Sequence, residues 1–392
     1  MELIINNKVY DISKFKHPGG NIINYYLNED ATNAFNQFHM KSKKAIKILD
    51  SLPHRYIDNY KQPILINKFE ELSNILKKEK YFDTNYYEVI YRCFEIFFMV
   101  YLGFYLYKKI FLFSCIILGI ASGRCGWLMH EAGHYSFSGN IQLDKCIQTF
   151  FYGSGCGMSA IWWRSKHNRH HACPQHQDKD PDLLTLPLIA FNKCVIHDKM
   201  YLTTKIYIKF QTYLFPIITC TLVSLYWRYF LHIKTTLIKL YDKKNKNYAI
   251  GELLSYILYH YLFYNLLYET KNKITTYLFI NSIASSYIFI NFAVSHSHLQ
   301  VTKKNLTWVE YAAYHTTNVG KGHWFISWWM SNLNYQIEHH LFPSMPQCNH
   351  KYISSRVKDF FKKNDLPYYD GNYLDILSKT FNNLNEVSKS IK

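Results

Sequence analysis

Cysteine and acidic residues are both scarce in this 392-residue chain. The nine cysteines contain no Cys-x-x-Cys pair, and several stand in apolar runs, so we expect buried thiols in a reducing compartment. Only 28 Asp and Glu accompany 45 Lys and Arg, a formal net charge of +17 that suits nucleic acid or an anionic membrane face. No nucleic-acid-binding motif accompanies the basic residues, which favours the membrane.

The sequence also lacks an internal repeat, and its first residues, MELIINNKVYD, are too short and too polar for a cleaved signal peptide. Aromatic side chains are abundant instead, since 35 Tyr and 27 Phe help to raise the aromatic fraction to 18%. That fraction is high for a soluble protein and typical of a bilayer interface. Five apolar stretches follow: 93–107, 110–129, 213–233, 253–268 and 274–294. The first two indicate a helical hairpin, and the second has about the length that crosses a bilayer.

The apolar stretches impose a parity constraint on the histidine-rich segments 130–171 and 336–340. If the two segments form one site, an even number of crossings must separate them, yet three apolar stretches lie between. We predict that 213–233 does not cross and lies in the interface, because it contains Pro216 and Arg228. The alternative, three crossings and unrelated clusters, stays open at this stage.

A haem-binding pattern stands near the N-terminus, after the strand-like segment KVYDISKF at 8–15. It consists of His17, Pro18, Gly19 and Gly20, followed by Asp30-Ala31-Thr32, Phe35 and His39. The Pro-Gly-Gly turn gives a planar cofactor close access to the backbone. Two histidines can hold haem iron from opposite faces, which leaves no position for oxygen and makes the site an electron carrier. The alternative is a simple turn, which the second motif disfavours.

These residues resemble the cytochrome b5 family over about 6–57, which implies that His17 and His39 are the axial ligands of a b-type haem. Family members usually carry a strand and a helix, with a Trp, before the segment that starts here at residue 6. This sequence has little of that segment.

Seven of the 19 histidines fall into three clusters with helical spacing. The clusters are His130-Glu131-Ala132-Gly133-His134, His167-Asn168-Arg169-His170-His171 and Gln336-Ile337-Glu338-His339-His340. Spacings of three and four residues place each set of imidazoles on one helical face. Many imidazoles without thiolates suit Fe, Zn, Cu or Ni, and seven exceed the four of a structural zinc site, which indicates two metals. A haem electron carrier in the same chain favours iron and O2.

Five acidic residues are candidates for orienting the imidazoles. They are Glu131, Glu338, Asp178, Asp180 and Asp182. The alternative, that they are ordinary solvated or helix-capping acids, stays open.

The clusters H-x-x-x-H, H-x-x-H-H and Q-x-x-H-H resemble those of the membrane fatty-acid desaturases. The surrounding segments WWRSKHNRHHACPQ (162–175), DPDLLTLP (180–187) and NYQIEHHLFPSMP (334–346) are similar to that family as well. Gln336 in place of the first histidine of the third cluster, together with a fused b5 domain, resembles the front-end subgroup. The resemblance covers nearly the whole chain.

The resemblance implies a mostly α-helical integral membrane protein with about four transmembrane helices, a His-rich di-iron cap and a small α+β haem domain. The implied domains are 1–60 (b5-like), 61–90 (linker), 91–360 (desaturase) and 361–392 (polar tail). A further iron ligand is expected after the last transmembrane helix, where His296 fits and His298 competes. Gln336, Glu131 and Glu338 are the candidate catalytic residues.

The implied reaction uses O2 and two irons to insert a cis double bond between an existing one and the carboxyl end of a fatty-acyl chain. The substrate is a fatty-acyl lipid or acyl-CoA, and electrons pass from NADH through a cytochrome b5 reductase to the haem. The implied location is the endoplasmic reticulum membrane, with both sites facing the cytosol and no nucleic acid as partner. Three alternatives are a b5-fused sphingolipid long-chain-base desaturase, a hydroxylase of the same fold and a non-enzymatic membrane haem carrier.

Overall fold

The computed structural model describes residues 1–57 and 60–391, which are mostly helical. The strands in chain order are β1 Glu2–Ile5, β2 Lys8–Asp11, β3 His54–Tyr56, β4 Asn318–Val319 and β5 Asp370–Gly371. The α-helices are α1 Thr32–His39, α2 Lys43–Ser51, α3 Ile64–Lys78, α4 Tyr86–Leu106, α5 Phe111–Gly133, α6 Ile141–Phe150, α7 Ala160–Ala172, α8 Leu202–Lys209, α9 Gln211–Ile217, α10 Val223–Tyr226, α11 Ile233–Leu240, α12 Lys246–Leu267, α13 Lys273–Ala293, α14 Trp308–His315, α15 Trp324–Trp329, α16 Gln336–Leu341, α17 Gln347–Lys363 and α18 Tyr373–Ser388.

Short helical segments of other types complete the described secondary structure. Three are 3-10 helices, at Gly20–Tyr26, Pro181–Leu183 and Lys193–Val195, and three are π-helices, at Phe151–Gly155, Ile218–Leu222 and Trp227–His232. The chain divides into two compact units. The first contains Met1–Thr84, Ser165–Leu184 and Leu299–Asp375, and the second contains Asn85–Arg164, Thr185–His298 and Ile376–Lys392.

The first unit begins with a three-stranded antiparallel sheet in the order β1-β2-β3. Asn6 and Asn7, both with positive φ, form the turn between β1 and β2, which is the conformation that tight hairpins need. Alternate strand residues and the following helices bury an apolar core. It contains Leu3, Ile5, Tyr10, Ile12, Ala31 and Leu49. The strand expected within 8–15 is present as β2, and β1 precedes it.

A second core in the first unit is built from helices that are distant in the chain. Its fully buried members include Phe69 and Leu76 of α3, Leu341 of α16 and Val357 of α17. The predicted linker 61–90 therefore contains a packed helix. Its composition is charged because the outer face of α3 carries Lys and Glu, while the residues at every third or fourth position, Ile66, Phe69, Ser73 and Leu76, are buried.

The predicted polar tail 361–392 also differs from the structure, because it contains α18. Ile376, Thr380 and Leu384 of this helix are buried within the second unit. Polar residues lie between these buried positions in the sequence of α18. The composition of the segment is therefore polar although one face of the helix is buried.

The second unit contains the predicted helical hairpin as α4 and α5. By length and composition these two described helices can cross a membrane, and a third crossing exists if Gln211–Cys220 and Ser224–Leu240, bent by 43°, form one span. The stretches 253–268 and 274–294 lie in α12 and α13, which are 22 and 21 residues long. Both carry buried polar side chains, including Glu252 and Asn281, which lower their apolar character.

Two polar residues of the 213–233 stretch, Arg228 and His232, are buried within the second unit. Arg228 and His232 are each 2% exposed. The Nε of Arg228 donates to the carbonyl of Cys156 (2.9 Å), and the Nδ1 of His232 accepts from the amide of Ser159 (2.7 Å). The side chains of Arg228 and His232 therefore bond to backbone groups of the same unit. That the stretch does not cross the membrane stays a prediction.

Glu252 of α12 stabilises the start of α7. Its carboxylate accepts hydrogen bonds from the Oγ of Ser159, the amide of Ile161 and the Oγ1 of Thr236, each at 2.7 Å. A carboxylate at a helix N-terminus satisfies amides that have no partner inside the helix.

We predict that Glu252→Ala lowers the free energy of unfolding by about 1–3 kcal/mol, because it leaves buried donors without an acceptor. The measurement is the thermal unfolding midpoint of the purified protein in detergent. Glu269→Ala is the matched control, since the Glu269 side chain is 66% exposed and its ion pair with Lys108 contributes little. Equal midpoints for the two variants would contradict the role of Glu252.

Candidate metal centre and haem site

The two predicted haem ligands face each other in the first unit. The ring centroids of His17 and His39 lie 6.1 Å apart, at an interplanar angle of 68°. This separation is about the sum of two metal–nitrogen bonds of about 2 Å each and the distance from each ring centroid to its coordinating nitrogen. Burial, with His17 nearby, lowers the pKa of His39 to about 4, so this imidazole is neutral at pH 7, as ligation requires.

The glycines of the turn keep space open beside His17. A Cβ on Gly19 would lie 2.7 Å from Cε1 of His17, and Gly20 has φ +79, which side chains rarely tolerate. Pro18, Gly19 and Gly20 are exposed at the surface. The residues present fit a haem held by two histidines next to a close-approaching backbone.

We predict that His39→Ala in the full-length protein removes the low-spin b-type Soret absorbance and leaves the non-haem iron in place, because His39 belongs to none of the clusters of described residues that could hold another metal. Absorbance spectroscopy and metal analysis measure both. The control is His54→Ala, which changes an exposed histidine of β3 in the same domain. A low-spin spectrum that persists in His39→Ala would refute the ligand assignment.

Helices α7 and α16 bring five predicted iron ligands together in the first unit. All five are buried: His167, His170, His171, His339 and His340. The helical spacing of three and four residues puts the three α7 imidazoles on one face. The rings of His171 and His340 stack with centroids 4.1 Å apart at 11°.

Three of these imidazoles converge on one point. The Nε2 atoms of His167 and His171 lie 3.1 Å apart, and ligand atoms of His167, His171 and His339 all lie within 4.8 Å of one another. Two ligands at right angles on one ion, with bonds of about 2.1 Å, have their nitrogens about 3 Å apart. The arrangement therefore fits a metal ion.

His170 and His340 form a second group, which Asp180 orients. Their ligand atoms lie within 4.8 Å, and Nδ1 of His170 lies 3.0 Å from the carboxylate of Asp180, which leaves Nε2 for a metal. Asp180 also accepts from the amides of Gln175 (2.7 Å) and Asp182 (2.9 Å), which fix its position. Burial lowers the pKa of His170, but the charges of Asp180 and Asp182 outweigh it and raise the pKa overall. Asp178, in contrast, is exposed.

Glu338 holds α16 in place. Its carboxylate accepts from Nδ2 of Asn318 (2.8 Å) and from the hydroxyl of Tyr368 (2.7 Å). Asn318 also accepts from the amide of Ile337 (2.9 Å). Burial raises the pKa of Glu338, against the lowering effect of its two side-chain partners. Gln336 is buried at the first position of the same helix. The sequence analysis did not identify Asn318 and Tyr368, because they lie outside the histidine clusters in the sequence.

The first histidine cluster lies in the second unit, at the end of α5. The rings of His130 and His134 lie 5.0 Å apart, and both contact Trp163, at 5.2 and 5.9 Å. Glu131 forms a buried ion pair with Arg92 of α4. Gly133 is required by packing, because a Cβ there would lie 2.4 Å from the Trp163 ring.

The two candidates for the additional ligand follow α13 in the same unit. His296 and His298 are both half-buried. Burial and the charge of Lys379 lower the pKa of His298 to about 4.

We predict that Asp180→Ala reduces the affinity for non-haem iron by about 10–100-fold, because a metal-binding imidazole depends on the partner that holds its other nitrogen. Metal analysis after dialysis against a graded chelator measures the loss, and the haem spectrum should not change. Asp178→Ala is the matched control. Equal iron retention in both variants would show that Asp180 does not orient a ligand.

Buried imidazoles supported by a carboxylate, in a unit that also holds a bis-histidine haem pocket, define a non-haem metal enzyme with its own electron carrier. The chain belongs to the fatty acid desaturase family, whose sequence profile matches residues 109–372. A profile of the cytochrome b5-like heme/steroid binding domain matches residues 2–82, which includes α3.

Curated relatives span nearly the whole chain. An acyl-lipid (8-3)-desaturase of Rebecca salina is 44% identical over 99% of this chain and 91% of its own length. An acyl-lipid (8-3)-desaturase of Thraustochytrium sp is 40% identical over 99% and 92%, respectively. A Delta(8)-fatty-acid desaturase of Borago officinalis is 27% identical over 95% and 86%. The predicted family, enzyme class and cofactors are confirmed: an O2-dependent desaturase with two irons and a b-type haem.

Proposed function

We propose that this chain is a front-end acyl-lipid desaturase of the (8-3) type, which inserts a cis double bond between an existing one and the carboxyl end. The observation that carries the proposal is the third cluster, where buried Gln336 precedes His339 and His340 on α16. The names of the two relatives that are 44% and 40% identical supply the regiochemistry and the lipid-bound substrate.

The proposed iron ligands are eight histidines, assigned by motif spacing and by their burial. They are His130, His134, His167, His170, His171, His296, His339 and His340. Bound iron supplies the reduction of O2 and the removal of two hydrogens from an unactivated part of the acyl chain. The surrounding residues hold the imidazoles: Asp180 fixes the Nδ1 of His170, and Glu338 fixes α16. An amide at Gln336 is a weaker ligand than imidazole and can hydrogen-bond a ligating group or water.

The haem domain is the proposed source of electrons. Ligation by His17 and His39 leaves no position for oxygen on the haem iron, so this site carries electrons only. We propose an NADH-cytochrome b5 reductase as the donor and about four transmembrane helices in the endoplasmic reticulum membrane, with both sites toward the cytosol. The family match and the described helices α4 and α5, each long and apolar enough to cross a membrane, support the membrane location.

The alternatives have less support. Acyl-lipid and fatty-acid substrates appear in the names of the relatives above, which disfavours a sphingoid base. The buried convergence of His167, His171 and His339 disfavours a haem carrier without iron sites.

We predict that cells expressing the chain add one double bond on the carboxyl side of a supplied cis-polyunsaturated C18 or C20 acid and leave stearate unchanged. Gln336→Ala should lose most of the activity, and Gln336→His should also impair it, because a strong ligand replaces a weak one. Mass spectrometry locates the new bond, with the Rebecca salina relative expressed beside it as the reference.

His340→Ala is the inactive control for background products. A new bond at a position that differs from the reference would refute the (8-3) assignment. A new bond in sphingoid bases, with none in the fed acids, would replace the fatty-acyl reading by the sphingolipid one.

A further inference from the structure

Within the first unit, Trp308 of α14 links α1, which carries a haem ligand, to α16, which carries two predicted iron ligands. Phe38 directly precedes His39, and its ring lies 5.2 Å from that of Trp308, edge to face at 77°. Trp308 is 5% exposed, and its Nε1 donates to the carbonyl of Leu341 (3.1 Å). Leu341 directly follows His340 in α16. One aromatic pair and one hydrogen bond therefore join the neighbours of the two ligands.

A second contact joins the haem domain to the second histidine cluster. The hydroxyl of Tyr26, in the 3-10 helix after the Pro-Gly-Gly turn, donates to the carbonyl of Ala172 (3.1 Å). Ala172 directly follows His171. The haem domain thus contacts Ala172 of α7 directly and is linked to Leu341 of α16 through Trp308.

Polar bonds surround this contact. Tyr25 donates from its hydroxyl to the carbonyl of Lys179 (2.9 Å), and Nζ of Lys179 donates to Asn305 (2.6 Å). Asn305 in turn donates to Glu29 of the haem domain (3.0 Å). The centre is apolar, since Phe38, Met40 and Tyr26 pack against the buried cluster of Trp308 and its neighbours. An apolar centre with a polar rim is the composition of a stable interface.

We propose that Trp308 is the positioning residue that keeps the haem domain docked beside α16, so that electrons pass from the haem to the irons without a swing of the domain. The proposal rests on the proposed function. In each step the haem iron is oxidised from Fe(II) to Fe(III) and one non-haem iron is reduced from Fe(III) to Fe(II). Two such steps, with O2 and two protons, yield one double bond and two waters.

The docked arrangement leaves room for the electron donor. Pro18, Gly19 and Gly20, beside the haem ligand His17, are exposed. A reductase can therefore reach the haem domain at this turn while Phe38 and Tyr26 stay in contact. If the haem domain were tethered but not docked, the rate of electron transfer would depend only on the effective concentration of the domain near the irons.

Two variants separate electron transfer from structure. Trp308→Phe keeps a ring against Phe38 and removes the Nε1 bond to Leu341. Phe38→Ala removes the aromatic contact from the haem-domain side, where the residue is half-buried, so the fold is retained even if Trp308→Phe is unstable. Tyr56→Ala is the control, because Tyr56 is an exposed aromatic of the same domain (70% exposed) with no place in the contact.

The first measurement is stopped-flow reoxidation of the reduced haem in full-length protein, after mixing with O2 and acyl substrate. We expect the rate to fall about tenfold in Phe38→Ala and in Trp308→Phe, the factor that one aromatic or hydrogen-bonded contact contributes to a docking equilibrium. The Soret intensity and the non-haem iron content should equal those of the wild type. Tyr56→Ala should reoxidise at the wild-type rate.

The second measurement bypasses the haem. Irons that are reduced chemically before O2 is added should give the same yield of product in a single turnover for every variant. Unchanged haem reoxidation in both Phe38→Ala and Trp308→Phe would overturn the proposal. An equal loss of single-turnover product would also overturn it, because Trp308 would then support the iron site itself. If the wild type forms no product from any fed acid, the proposed function fails, while the reoxidation rates still decide the docking.

Discussion

An imidazole that binds a metal is oriented by the partner of its second nitrogen, and the pair of His170 and Asp180 in the first unit meets this constraint. Five histidines of the unit are buried, and Asp180 holds the Nδ1 of His170, which leaves its Nε2 for a metal. Asp180 is itself fixed by two backbone amides. Glu338 does the same for the helix, because Asn318 and Tyr368 fix the carboxylate that anchors α16. The imidazole of His170 and the helix α16 are thus each held by a carboxylate that is itself held by other groups.

In the second unit, buried polar side chains of apolar helices also need partners. Polar side chains there are costly unless they are paired. Arg124 of α5 donates to Glu95 of α4 (2.9 Å), and Glu252 accepts three hydrogen bonds. These bonds fix the rotation of the helices that carry them, because an apolar contact tolerates slippage and a buried ion pair does not. The end of α5, with His130 and His134, gains a defined orientation from such pairs.

The sequence predicts the features that depend on residues close together in the chain. Helical spacing identifies the histidine clusters, and the Pro-Gly-Gly turn with a second histidine identifies the haem site. The partners Asn318, Tyr368 and Trp308 escape prediction, because they are ordinary residues brought to the site by tertiary packing. Composition also hides α3 and α18, whose apolar stripes are diluted by charged faces. Arg228 suggests an interfacial helix from sequence, whereas in the structure its partners are the Cys156 carbonyl and Tyr277.

Helix α4 has a consequence for the depth of the protein in the lipid. Its 21 residues rise about 1.5 Å each, which gives a length of about 30 Å, the thickness of a bilayer's hydrocarbon layer. Exposed tyrosines stand at both ends, Tyr86 and Tyr87 at the start and Tyr101 and Tyr105 near the finish. Tyrosines prefer the headgroup level, so this helix fixes the vertical position of the protein. In a lipid-bound acyl chain the carboxyl carbon lies at the headgroup. The number of carbons between the carboxyl and the new double bond would then correspond to the depth of the active site below the membrane surface.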